Sequence, residues 1–285
     1  MHVSSAAVKD GLILSLLSAV PRSALSRGMG AFSRLSLPRA LHRLLLRWYV
    51  RKYGVDLGEC VGGVEDYPSL GAFFIRELKP GTRPVAEESD ALVSPADGLV
   101  YAAGKVEDGK LPQAPDLDYA VRTLLDGDDR YEGGDFAVIY LSPKDYHRVH
   151  SPREGQVVGH RYLPGRLWPV FPAATRKIRD LFARNERLVI RLETSKAGEV
   201  AVVMVGAFGV GRMATVFADL VTNTGQPKDD RLLPSPHPVV RAGELGRFEM
   251  GSTVVLLTEP GRVDFECRPG DVVKMGERIG RVAPD

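Results

Sequence analysis

Leu12, Ile13, Leu16, Leu17 and Val20 recur at helical spacing, and Leu41, Leu44, Leu45, Trp48 and Tyr49 recur at i, i+3, i+4, i+7 and i+8. Each set lies on one face of a 3.6-residue helix. The second helix is expected to begin near Pro38, whose fixed φ suits a first helical position, and to stop at Gly54. Past residue 58 the period changes. After a short helix over 69–78, β-rich runs over 136–141, 156–162, 188–192, 200–206, 212–217, 253–257 and 263–267 are separated by Gly, Pro and Asp. Further helices are expected over 176–183 and 119–125. The pattern predicts an α+β chain with a largely antiparallel β core and amphipathic N-terminal helices.

A weak internal repeat sits inside this β region. Ser94-Pro95-Ala96-Asp97-Gly98-Leu99-Val100 and Ser151-Pro152-Arg153-Glu154-Gly155-Gln156-Val157 share Ser-Pro-x-(Asp/Glu)-Gly-x-Val. Each reads as a turn feeding a strand. Arg268 to Gly276 reads as another glycine turn and strand. Such units recur in small β-sandwich modules of the lipoyl-carrier type, a likeness of fold that carries no chemistry.

Composition narrows the class without naming a function. The chain has 285 residues, 44% hydrophobic and 26% charged, which is globular rather than disordered or disulfide-built. Cys60 and Cys267 match no metal or redox spacing and read as reduced thiols. The formal net charge of +2 gives no argument for nucleic acid, and no such partner is expected. The distribution of charge is more telling. Residues 1–54 carry Lys9, Arg22, Arg27, Arg34, Arg39, Arg43, Arg47, Arg51 and Lys52 against Asp10 alone, so the remainder is net acidic. No apolar run reaches the length of about 20 residues that spans a bilayer. The stretch 11–20 makes a poor signal peptide, with a weak basic flank and no clean cleavage site. A basic amphipathic helix with interfacial aromatics can lie on an anionic membrane; it can equally pack on the main domain. The expected division is a docking unit over 1–57 and a second domain over 58–285.

The candidate chemistry lies on loops. His147 and His150 are the only close pair of histidines, in Asp145-Tyr146-His147-Arg148-Val149-His150, and no neighbouring ligand makes a metal site of them. Asp97 sits in an Asp-Gly turn, and Ser252 in Met250-Gly251-Ser252-Thr253 ahead of a β run. Asp97, His150 and Ser252 supply the residue types of an acid, a base and a nucleophile. The hydrolase elbow Gly-x-Ser-x-Gly is absent. Gly251 instead leaves its own carbonyl open in front of the serine, which suits attack by Ser252 on the preceding peptide bond.

These segments resemble the phosphatidylserine decarboxylase family from about Leu70 to the C-terminus. The resemblance rests on Phe73-Phe74-Ile75-Arg76-Glu77-Leu78-Lys79-Pro80, Ser94 to Gly98, Asp145 to His150, Leu181 to Arg187, Val205-Gly206-Ala207 and Gly251-Ser252-Thr253, in family order. It implies that Asp97 orients His150, and that His150 takes the proton of Ser252. Ser252 would then attack the Gly251 carbonyl, and the ester would eliminate to give chains 1–251 and 252–285. Ser252 would become a pyruvoyl cofactor that forms a Schiff base with phosphatidylserine, and His147 would act as acid or base in decarboxylation.

The implied partners are phosphatidylserine, an anionic membrane surface, the cleaved small chain and a second copy of the protein. The implied location is peripheral, on the cytoplasmic face of a bacterial cell membrane. Two positions depart from the family pattern. Met250 replaces a leucine, and Phe171 stands where many members have asparagine, which bears on headgroup recognition. Three alternatives stay open: a pyruvoyl decarboxylase for another amine, a non-catalytic docking module, and a serine hydrolase.

Overall fold

The computed structural model describes residues 28–30, 32–114, 116–208, 212–249 and 253–284. The first expected helix, Met250, Gly251 and Ser252 lie outside the described residues. The helices are α1 (Arg39–Tyr53), α2 (Leu70–Phe74), α3 (Val121–Leu124), α4 (Pro172–Lys177) and α5 (Leu181–Arg184), with a further helical stretch around residue 30. The strands, in chain order, are β1 (Ala91–Val93), β2 (Gly98–Lys105), β3 (Lys110–Ala114), β4 (Leu117–Ala120), β5 (Asp135–Tyr140), β6 (Arg148–His150), β7 (Gly155–Leu163) and β8 (Arg187–Thr194). They continue with β9 (Gly198–Val205), β10 (Met213–Thr215), β11 (Asp229–Val239), β12 (Glu244–Phe248), β13 (Thr253–Thr258), β14 (Val263–Phe265), β15 (Val272–Val273) and β16 (Arg278–Val282).

Eight strands form one sheet in the order β11-β7-β8-β9-β13-β5-β2-β15, and smaller sheets join β1-β16-β14, β10-β12-β6 and β3-β4. The pairings inside these sheets are antiparallel. The fold is therefore α+β with an antiparallel core, as the periodicity predicts. At its centre is β13, whose six residues Thr-Val-Val-Leu-Leu-Thr are all buried between β5 and β9. A β-branched run with no polar alternation belongs in such a two-sided position.

The Ser-Pro repeat proves to be structural. In each copy the serine hydroxyl donates to the carbonyl two residues on, Ser94 to Ala96 at 2.7 Å and Ser151 to Arg153 at 2.5 Å. The copies pack on one another: the Val93 N–H donates to Pro152 O at 3.0 Å, and the His150 N–H to Pro95 O at 2.8 Å. Each strand starts at the repeat's glycine because there is no room for a side chain. A Cβ on Gly98 would lie 2.4 Å from Tyr140 O, and one on Gly155 2.2 Å from Glu193 O.

Four elements differ from expectation. The helix expected over 119–125 is confined to α3, because Tyr119 and Ala120 belong to β4. The helix at 69–78 ends at Phe74, because the chain beyond turns to bury Arg76 and to bridge Leu78 to Cys60. The helix at 176–183 is split into α4 and α5 by Asp180, which adopts φ 54°. Strand β11, Asp-Asp-Arg-Leu-Leu-Pro-Ser-Pro-His-Pro-Val, is not apparent as a strand in the sequence. Its prolines are tolerated because it is the edge of the sheet, where missing N–H donors leave no partner unsatisfied.

Helix α1 starts one residue after Pro38 and ends on Gly54 in the left-handed conformation. It carries two apolar faces. His42, Leu46 and Tyr49 are buried, and Leu46 and Tyr49 join a small cluster with Val55, Val64, Phe73 and Phe74. Leu41, Leu44 and Trp48 are 52%, 67% and 51% exposed, beside Arg43, Arg47 and Arg51. Packing on the domain and presenting an apolar face outward are thus combined in one helix.

Candidate active site

The loop between β5 and β6 carries His147, whereas His150, expected on the same loop, is the last residue of β6; several of the loop's carbonyls are held. Tyr49 of α1 donates to Pro143 O at 2.7 Å, and Arg76 Nη2 donates to Lys144 O at 2.7 Å and Asp145 O at 3.1 Å. The Asp145 carboxylate closes the loop by accepting from the Ser142 N–H at 2.7 Å and the Ser142 hydroxyl at 2.6 Å. Residues 142–145 are thus held from three sides.

His147 is fully buried, with its ring 4.1 Å from that of Phe74. Its Nδ1 lies 2.8 Å from Asp145 O. A carbonyl only accepts, so Nδ1 carries the proton and Nε2 the lone pair. Nε2 is buried without a hydrogen-bond partner among the described residues. Burial first and the Arg76 guanidinium second push this imidazole down to about 3, so it is neutral near pH 7.

His150 repeats the arrangement. Its Nδ1 lies 2.8 Å from Ala242 O, and its Nε2 lies 3.2 Å from the Tyr146 hydroxyl. Burial lowers its pKa, and burial pushes the Tyr146 phenol up to about 12, so a neutral imidazole faces a protonated phenol. Ala242 reaches this position with φ 59°, an uncommon conformation for a residue with a side chain.

Asp97 is buried and lies close enough for its charge to act on both imidazoles. Its direct bonds run elsewhere. Arg83 Nε and Nη2 grip both oxygens at 2.6–3.1 Å, and the Met275 N–H donates to Oδ1 at 2.9 Å. Arg83 also holds Glu59 at 2.7 Å. In this arrangement the His150 ring is fixed by a backbone carbonyl, and Asp97 contributes charge from beside it.

Gly251 and Ser252 lie outside the described residues, but the next residue, Thr253, is buried at the start of β13, paired with Tyr140 and Val205. Its Oγ1 is buried without a hydrogen-bond partner among the described residues. Beside this strand end lies an apolar pocket lined by Tyr49, Tyr53, Phe74, Tyr140, Phe171 and Phe208 among others. Phe171 thus faces the cavity from the mouth of α4.

The other matching segments are structural supports. Asn185 accepts from the Trp168 N–H at 2.9 Å and donates to Trp168 O and Gly206 O, tying the pocket wall to the end of β9. Sequence reasoning did not single out Arg76, Arg83, Tyr49 or Ala242. Arg76 and Arg83 stand in the run Phe-Phe-Ile-Arg-Glu-Leu-Lys-Pro-Gly-Thr-Arg-Pro, where isolated arginines among aromatics and turn residues were the available signal. Ala242 acts through its backbone and leaves none.

Two buried neutral imidazoles, each oriented by a carbonyl and within reach of the charge of a buried carboxylate, make the kind of group that acid–base enzymes use. Comparison with known proteins gives the family. The phosphatidylserine decarboxylase family profile matches residues 70–281. A phosphatidylserine decarboxylase proenzyme of Anaeromyxobacter sp. is 45% identical over 97% of this chain and all of its own length. Those of Myxococcus xanthus and Bordetella avium are 43% and 39% identical, over 96% and 95% of this chain and 99% and 95% of their own. The chain belongs to the phosphatidylserine decarboxylase family.

Proposed function

We propose that this protein decarboxylates phosphatidylserine to phosphatidylethanolamine at a membrane surface, after cutting itself between Gly251 and Ser252. The observation that carries the reading is the pair of buried imidazoles, on the loop and strand that follow β5, whose last residue Tyr140 pairs with Thr253, the residue after Ser252.

In maturation, His150 Nε2 accepts the Ser252 hydroxyl proton, a role that needs a neutral imidazole protonated on Nδ1. Tyr146 keeps that nitrogen aligned until the serine replaces it. Asp97 stabilises the imidazolium that forms. The serine oxygen attacks the Gly251 carbonyl and the C–N bond breaks, giving an ester. Elimination then separates 1–251, ending in the Gly251 carboxylate, from 252–285, whose N-terminal dehydroalanine takes up water and releases ammonia to leave a pyruvoyl group.

The residues present fit such a group: His147 Nε2 and, in the residue that follows Ser252, Thr253 Oγ1 are buried polar atoms without a hydrogen-bond partner among the described residues. A pyruvoyl group formed from Ser252 would supply a carbonyl for the substrate amine and an electron sink for carbon dioxide loss. Around it, the His147 Nε2 lone pair takes up a proton and passes it to the substrate α-carbon, and the pocket of Tyr49, Phe74 and Phe171 excludes water. The outward face of α1, with Leu41, Leu44 and Trp48 between arginines, rests in the headgroup layer of an anionic membrane, and the docking unit is assigned to 1–57. We place the protein peripherally on the cytoplasmic face of a bacterial cell membrane, as a homo-oligomer.

The test is carbon dioxide release from vesicles containing phosphatidylserine, compared with soluble phosphoserine. Release from vesicles and little from phosphoserine is the expected result. Preference for the soluble amine would transfer the chemistry to another substrate class.

A further inference from the structure

Arg76 is a buried cation, 4% exposed, with no carboxylate partner among the described residues. Such a charge is costly to bury unless its position serves a purpose. Its Nη2 spans Lys144 O and Asp145 O, at 2.7 and 3.1 Å. Asp145 O also takes the His147 Nδ1 proton, at 2.8 Å. A carbonyl has two lone pairs, and here both are used: one by Arg76 and one by His147. The carbonyl cannot turn away from the imidazole without giving up the guanidinium.

We propose that Arg76 is a positioning residue for His147, fixing the carbonyl that holds the imidazole in its Nδ1–H tautomer and leaving the Nε2 lone pair free for proton transfer. This rests on the decarboxylase reading for its purpose, but not for its geometry. The charge of Arg76 acts in the same sense, since a second cation beside the ring opposes protonation.

The groups facing His147 from the elements around it support the assignment. Phe74 of α2 covers one ring face, and the Asp145 carboxylate is occupied by Ser142. Asp97 pulls the other way, more weakly than Arg76, and is already shared with Arg83. Arg148 points to Glu77 and Glu244, and the Cys60 thiol lies beside Arg76.

The experiment is nitrogen-15 NMR of histidine-labelled full chain, with the His147 signals assigned by their loss in His147→Gln. The wild type is expected to show a protonated Nδ1 and a bare Nε2, unchanged from pH 8 to pH 5. Arg76→Gln is expected to show mixed tautomers and proton uptake at a pH higher by about one unit, a tenfold gain in proton affinity. Arg76→Lys keeps the charge without the planar fork. Its uptake stays near wild type while its tautomer preference weakens. Decarboxylation per matured chain falls in both variants, in kcat more than in KM.

A wild-type imidazole protonated on Nε2 would overturn the assignment, as would an Arg76→Gln imidazole with wild-type tautomer and titration. If Arg76→Gln does not fold, the wild-type tautomer and Arg76→Lys decide. Failure of wild type to release carbon dioxide from phosphatidylserine would sink the decarboxylase reading alone, since the imidazole signals report on Arg76 without turnover.

Discussion

His147 and His150, three residues apart, are held by different carbonyls and differ at Nε2. His150 Nε2 lies against the Tyr146 hydroxyl and His147 Nε2 lies free, so replacing them should separate the two reactions. His150→Ala is expected to leave a single uncut chain on a denaturing gel. His147→Gln is expected to yield both fragments and to lose decarboxylation by about 100-fold or more, the usual scale of a lost general acid or base. Cleavage in the second variant together with full turnover would remove His147 from the mechanism. The sign of the pH effect follows from burial. The unfolded chain protonates His147 near its ordinary value of about 6.5, whereas the folded chain resists until about 3. Above the first value both states are neutral and nothing is gained. As pH falls between the two, the folded state loses stability by about 1.4 kcal/mol per unit, or about 2 kcal/mol by pH 5. His147→Gln should therefore narrow the gap in urea-unfolding free energy between pH 7 and pH 5 by that order. A gap equal to wild type's would show that His147 titrates normally in the folded protein.

At the scale of elements, α1 would tie the proposed membrane face to the chemistry. Its outward side carries Leu44 and Trp48, and its inward side carries Tyr49, whose hydroxyl fixes Pro143 in the histidine loop. Arg34, just upstream, meets Glu249 at 3.2 Å, close in sequence to the proposed scissile bond. Replacing Leu44 and Trp48 together by aspartate should leave folding intact, because both are exposed. It should weaken sedimentation with anionic vesicles by about tenfold or more, given the 1.5–3 kcal/mol that burial of one large apolar side chain contributes. Unaltered vesicle binding would assign docking to other residues. Helix α1 also shows the reach of periodicity. The stripe Leu41, Leu44, Leu45, Trp48, Tyr49 was read as one face, yet Tyr49 turns inward and Leu44 outward, and the buried side recruits His42 and Leu46. Strands with continuous β-branched runs, such as β9 and β13, were readable because burial on both sides dictates that composition. Strand β11 was not, because its pairing depends on an edge that the sequence does not announce. The glycines of the Ser-Pro repeat were readable as turns, but the crowding that requires them arises from β5 and β8. Gly98→Ala places a carbon 2.4 Å from Tyr140 O, and a loss of about 1–3 kcal/mol is expected in denaturant titration.

At the scale of the whole molecule, the proposed cut would divide the sheet through its middle. The small chain 252–285 would carry β13, which pairs with β5 over five residues and with β9 over six, and Met275, whose N–H holds Asp97. Product chains so interleaved should stay together. Native gel filtration is expected to return one species, with the small chain released only in denaturant. The site residues Asp97, His147, His150 and Ser252 were named from sequence because family spacing marks them. The carbonyls of Ala242 and Asp145, which orient the rings, are backbone atoms and exist as partners only once the chain has folded. The central claim is self-cleavage, and the most direct test is the denatured mass of the purified protein beside a Ser252→Ala variant. The account predicts two fragments meeting between Gly251 and Ser252, the small one lighter by the change from serine to pyruvoyl, and a variant that stays whole. A wild-type chain that is folded, kept near neutral pH and still intact would contradict it.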